Sequence, residues 1–307
     1  MGRPGTGAGS GARPPPGRTP APASGRARVR KATADPGTGS PRARLECDAM
    51  AAGDQVPLSV CIIAQDAESQ LEACVRSVPF AREVVVLDGG SCDRTMDLAR
   101  SLGARVEQRP FDGFVSQKNA ALSHARCDWV LSLDADERIS EPLQHEITAL
   151  FQGGAPAAAG YDMPRRAYHL GRWIRGGGWY PDHKLRLFRR DRGRFGGEDP
   201  HDRVLVDGPV GRLHGDILHY PYQDLFDHIT RMDRYTSRAA HASLAQGRRL
   251  PLLRMLAQPP LRFLKAYLLR GGFRDGRAGF VLACMASMYE LMRYAKLWEL
   301  QRQARER

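Results

Sequence analysis

Four short apolar runs, with helical patterns between them, constrain this chain more than any other feature. Leu58-Ser-Val-Cys-Ile-Ile63 and Glu83-Val-Val-Val-Leu87 come first; Ala104-Arg-Val-Glu-Gln108 and Trp129-Val-Leu-Ser-Leu133 follow. The first two are nearly continuous in apolar residues, as in strands buried on both faces. Between them, Leu71, Cys74, Val75 and Val78 recur at helical spacing, and residues 93–102 and 116–125 read as further helices. Such alternation means a parallel α/β sheet. Sheets of this kind bind ligands at the carboxyl ends of their strands. Asp66, Asp88, Asp134 and Asp136 lie just past strand ends, so they are predicted to converge on one crevice.

Beyond about residue 155 the rhythm breaks into Gly-, Arg- and aromatic-rich segments. Short strands are expected near 160–166, 184–189 and 202–206, then helices over roughly 222–245, 252–270 and 277–301. The predicted organisation is a tail over 1–56, an α/β domain over 57–220 and a C-terminal helical region over 221–307. The tail is rich in Pro, Gly, Ala, Ser and Arg with almost no large apolar residues. It cannot bury enough surface to offset its ordering entropy and is expected to be disordered. Residues 1–50 hold nine Arg and Lys against three carboxylates, which is half of the chain's net charge of +12. That uneven distribution argues against a nucleic-acid-binding domain, and no nucleic-acid partner is expected.

The six cysteines show no metal-ligand spacing. No run approaches the roughly 20 apolar residues of a membrane span, and the N-terminus lacks the apolar core of a secretory signal. The chain is therefore expected in the cytoplasm. Leu, Phe, Tyr and Met alternate with Arg254, Arg262, Lys265, Arg270 and Arg274 in the C-terminal helices. Basic amphipathic helices of this composition suit an anionic membrane surface.

The most specific chemistry lies in Leu131-Ser-Leu-Asp134-Ala-Asp136-Glu137. On an extended chain, residues i and i+2 face the same side. Two hard oxygen donors there can hold a divalent cation, Mg²⁺ or Mn²⁺, that also grips a diphosphate. Two other readings fit parts of the pattern. One is a phosphatase with Asp134 as nucleophile, disfavoured because three strands come before and Glu137-Arg138 follows. The other is a non-catalytic basic protein that binds membrane or nucleic acid.

The turn at Asp66, Val84-Val-Val-Leu-Asp88-Gly-Gly-Ser-Cys-Asp93-Arg-Thr95, Gln117-Lys118-Asn119 and the Asp134-Ala-Asp136 segment occur in order. Together they resemble glycosyltransferase family 2, and more narrowly its bacterial lipopolysaccharide-core members, including inner-core β-1,4-glucosyltransferases. Gly171–Arg190, with its Trp-Ile-Arg-Gly-Gly-Gly-Trp179 core, and Phe273–Glu299 add to the likeness, which spans about residues 57–300. The resemblance implies a GT-A fold, a Rossmann-like, mostly parallel sheet, here with a C-terminal helical appendage. It also implies inverting transfer of a hexose such as glucose from a UDP-sugar to a lipid-linked saccharide at the inner face of the cytoplasmic membrane. Asp66, Asp88, Lys118 and Asp134 would contact the nucleotide, with Asp136 and Asp134 on the metal. Asp202, in Glu198-Asp-Pro-His-Asp202, would be the catalytic base, one methylene shorter than the family's Glu, with Glu198 and Asp199 as the other candidates of that segment. Trp179, Lys184 and Arg186 would meet the acceptor, since aromatic faces stack on sugars and cations suit acidic substituents. The family's Asn-Glu-Glu after the first strand is replaced by Asp66-Ala67-Glu68.

Overall fold

In a computed structural model, residues 55–198, 202–247 and 252–306 are described. The tail lies outside them but for its last two residues, as do Asp199 and His201. The first strands form where continuous apolar runs predict them: β1 (Val56–Ala64), β2 (Ala81–Asp88), β3 (Arg105–Gln108) and β4 (Trp129–Asp134). Helices α1 (Glu68–Arg76), α2 (Thr95–Ser101) and α3 (Phe114–Ser123) intervene. Leu58, Val60 and Ile62 of β1 pack with Leu71, Cys74 and Val75 of α1. Cys61, on the opposite face, packs with Ala121 and Leu122 of α3. Burial on both faces explains why these strands read as unbroken apolar runs.

β1 pairs in parallel with β2 on one side and with β4 on the other. The chain thus runs outward through β2 and β3, then crosses back past β1, which makes a topological switch point at the carboxyl ends of β1 and β4. Beyond β4 come β5 (Glu137–Ile139), α4 (Glu141–Gln152), β6 (Gly160–His169), β7 (Arg172–Trp173) and β8 (Asp182–Arg189). They are followed by β9 (Gly193–Gly196), β10 (Arg203–Val206), β11 (Val210–Arg212) and β12 (Ile217–His219). The central sheet has the order β3-β2-β1-β4-β8-β6-β12-β5, with β7 and β11 added at β6. It is the expected α/β arrangement: parallel through its first half, with β8 entering antiparallel to both β4 and β6. The sequence expectations do not include β5, α4, β7, β9, β11 or β12. Of these, β5–β12 pairing matters for the site, because it sets His219 opposite Glu137.

The C-terminal helices are α5 (Leu225–Ala245), α6 (Leu252–Leu264) and the 31-residue α7 (Gly276–Glu306). Both α5 and α6 pack on α7. They join the same compact unit as the sheet. Asp275, almost fully buried, accepts hydrogen bonds from the backbone N–H groups of Arg175 and Gly176. A Cβ on Gly176 would lie 2.3 Å from the Gly271 carbonyl oxygen, and one on Gly279 only 1.8 Å from that of Gly272. Gly279→Ala must therefore push α7 away from the preceding turn. We expect a loss of about 1–3 kcal/mol, read as a lowered urea midpoint; an unchanged midpoint would mean that α7 slides freely.

Candidate active site

Hydrogen bonds from backbone amides hold the loops at the ends of β1 and β2 together. Asp66 adopts φ 49°, a left-handed conformation that Asp tolerates better than most residues. Its Oδ1 accepts from Cys92 N at 2.8 Å, and its own N–H donates to Ser91 Oγ at 2.9 Å. Asp88 is fully buried. One carboxylate oxygen accepts from Gly90 N and Ser91 N, and the other from the Ser91 hydroxyl. Asp88 thus closes its own turn and does not line the crevice, whereas Asp66 does.

The two carboxylates of Asp134-Ala-Asp136 have different surroundings. The strand ends at Asp134, and Ala135–Asp136 form a turn, so the two-residue alternation of an extended chain does not carry across. Asp134 sits between two buried cations: Lys118 Nζ lies 2.9 Å from Oδ1, and Arg186 donates to Oδ2 at 2.8 Å. Arg186 also donates to Glu137 at 2.9 Å, and Arg165 reaches the same Glu137 oxygen at 3.0 Å. Burial disfavours the ionised form of both acids. The Arg186 guanidinium, helped by Lys118 at Asp134 and Arg165 at Glu137, outweighs it and holds both below the usual carboxylate range. Lys118 also pairs with Asp202 Oδ2 at 2.9 Å.

Asp136 stands apart from this network. Its Oδ2 lies 3.5 Å from His219 Nε2, and both residues line the crevice. An oxygen and an imidazole nitrogen at that separation can share one divalent cation. Among the described residues, no cluster of three such side chains could hold a metal unaided, so the remaining ligands would have to come from substrate or water.

The crevice has a volume of about 720 Å³. Its lining includes Gln65, Asp66, Phe111, Phe114 and Gln117, together with Tyr222 and the α5 residues Arg231, Arg234, Tyr235 and Arg238. Tyr222 stacks on His228 at 4.0 Å between ring centroids. Burial, with His169 adding to it, pushes His228 down to about 4, so that imidazole is neutral at pH 7.

The structure thus brings Asp66, Asp134 and Asp136 to one crevice, with Lys118 and Asp202 joined behind Asp134. The residues expected at the acceptor are placed otherwise. Arg186 is buried within the acidic network, and Lys184 pairs with Asp182 at 3.0 Å. Trp179 is half-buried among His169, Tyr222 and His228. Sequence reasoning missed His219, Tyr222 and the three α5 arginines. The spacing of Arg231, Arg234 and Arg238 by three and four residues was a readable sign of one helix face. A lone His in a three-residue strand carries no such sign.

The glycosyl transferase family 2 model matches residues 59–205. The chain is 28% identical over 257 residues to the lipopolysaccharide core biosynthesis glycosyltransferase LpsC of Rhizobium meliloti, covering 80% of this chain and 93% of that protein. An uncharacterized glycosyltransferase of Rickettsia typhi is 30% identical over 266 residues, covering 81% and 89%. Among solved structures, residues 1–349 of S. aureus TarS in complex with UDP-GlcNAc align with TM-score 0.42 and 13% identity, covering 81% of this chain and 92% of that one.

Proposed function

The chain belongs to glycosyltransferase family 2, and from that premise we propose that it moves a hexose such as glucose from a UDP-sugar to a lipid-linked saccharide of the lipopolysaccharide-core type, with inversion. The observation that carries this reading is the Asp136–His219 pair, 3.5 Å apart in a crevice at the switch point of the sheet. Similarity to LpsC over nearly its whole length supports the acceptor class.

Asp136 and His219 would hold a divalent cation, Mg²⁺ or Mn²⁺, which when bound neutralises charge on a departing diphosphate. Asp134, fixed by Lys118 and Arg186, serves mainly to set the Asp136 turn, and its backbone N–H donates to Glu137 at 3.0 Å. Asp66 borders the nucleotide side. We assign Asp202 as the base that takes the acceptor hydroxyl's proton, with Lys118 positioning its carboxylate.

The test is calorimetric titration with UDP, with and without Mn²⁺, followed by a transfer assay on core-type acceptors. Asp202→Asn should retain UDP binding and lose at least about a hundredfold in kcat; full activity in this variant would remove Asp202 from the mechanism. No binding of UDP by the folded protein would exclude the UDP-donor assignment.

The same reading places the protein on the inner face of the cytoplasmic membrane. Among the described residues, no helix is long and apolar enough to cross a membrane. Around α6, however, Leu253, Leu256 and Leu269 are 75%, 62% and 82% exposed, beside exposed Arg254 and Lys265. Leucines flanked by cations suit anionic lipid. The protein should sediment with phosphatidylglycerol vesicles at low salt and not with phosphatidylcholine ones. Leu253→Ser with Leu256→Ser should weaken that binding; equal sedimentation of both proteins would rule out α6 as the contact.

A further inference from the structure

The chemistry assigned above leaves three guanidinium groups in the crevice without a task. Arg231, Arg234 and Arg238 lie on one face of α5, at spacings of three and four residues, and all three line the cavity. The opposite face is fixed. Met232, Thr236 and Ala240 are buried, and Lys296 of α7 donates to the Asp233 carbonyl and carboxylate and to the Thr236 and Ser237 hydroxyls at 2.7–2.9 Å. The helix therefore cannot rotate its arginines out of the crevice. Arg231 is anchored by Asp227 at 2.9 Å and lies over Tyr222. Among the described residues, Arg234 and Arg238 have no carboxylate within ion-pair distance.

Like charges one helical turn apart repel, and a concave wall focuses their field into the cavity. Guanidinium forks also match phosphate geometry better than any other side chain. We propose that the Arg231–Arg234–Arg238 face of α5 is a phosphate-binding subsite. It lines the same cavity as Asp66 and Asp136, so the anion would share the crevice with those carboxylates. The phosphate has two possible sources, the donor's diphosphate or a phosphate carried by the acceptor. The subsite stands on its own geometry, and only the choice between its two sources rests on the sugar-transfer assignment.

The experiment uses inorganic pyrophosphate as the probe, titrated into the full chain in EDTA so that no metal contributes. Arg234→Gln with Arg238→Gln should weaken binding by about tenfold or more. A charge-matched control elsewhere, Arg100→Gln with Arg212→Gln, should leave it unchanged. Both test residues are exposed, and the single variants, at smaller loss, serve if the double variant folds poorly. UDP and uridine then separate the sources. If the double variant loses affinity for UDP but not for uridine, the donor diphosphate sits on α5. If UDP binding is unchanged while pyrophosphate binding falls, the phosphate belongs to the acceptor, and the KM for a phosphorylated acceptor should rise without a matching change for its dephosphorylated form. Failure of the wild type to bind pyrophosphate, or an equal affinity in test and control variants, overturns the subsite. A wild type that binds pyrophosphate but not UDP would instead count against the UDP-donor assignment alone.

Discussion

Asp136→Ala is expected to lower sugar transfer by at least about a hundredfold while leaving the unfolding midpoint almost unmoved. The structure separates the two effects. Asp136 is partly exposed, and its side chain makes one long contact, 3.5 Å to His219. Its removal therefore leaves no buried charge stranded. Asp134→Ala, by contrast, would leave the buried Lys118 and Arg186 each one carboxylate short and lower stability and activity together. Calorimetry with UDP and Mn²⁺ tests the point directly: the alanine variant should lose the metal-dependent part of the binding. His219→Ala should show the same defect in weaker form. Wild-type affinity in Asp136→Ala with Mn²⁺ present would falsify the assignment of this carboxylate to the metal.

Arg186→Met should cost about 3–5 kcal/mol at pH 7, because two buried carboxylates lose a shared partner. Arg186 is 5% exposed and bonds Asp134 and Glu137, the latter wholly inaccessible. The loss should depend on pH in a defined direction. In the wild type both acids ionise below the usual carboxylate range, so their contribution is fully present above about pH 4 and is lost as pH falls from there through their depressed folded-state values. In the variant, protonation at low pH relieves the stranded charges. The gap between the two proteins should therefore be widest near neutrality and narrow below about pH 4. Urea denaturation at several pH values measures it, and a gap that stays constant would show that the network does not carry these charges.

The parallel half of the fold was legible because β1, β2 and β4 are buried on both faces and so announce themselves as apolar runs. Residues 58–63 and 129–133 differ from the observed strands by no more than two residues at either end. Helix α4 was passed over although Ser140, Pro142 and the Leu143–Ile147 spacing mark it, and Ser140 does cap it. The three-residue strands β5 and β12 are too short to show a period. The Asp136–His219 pair is invisible in sequence for that reason, since only the pairing of those strands creates it. The expectation that Asp134 and Asp136 would act alike assumed an extended chain, and the turn at Ala135–Asp136 removes that premise. The surface role foreseen for Arg186 met a different obstacle. A strand with one face against an acidic network buries an arginine, and composition alone does not distinguish that from a solvated one.

Helix α7 has a mechanical consequence. At 31 residues it is about 46 Å long, and it carries α6, with its exposed leucines, as well as α5, which walls the crevice. If α6 rests on lipid, α7 works as a spacer of constant height. If the acceptor is the lipid-linked saccharide proposed above, only units held at that height above the bilayer come within reach, and the enzyme would select its place along the glycan partly by altitude.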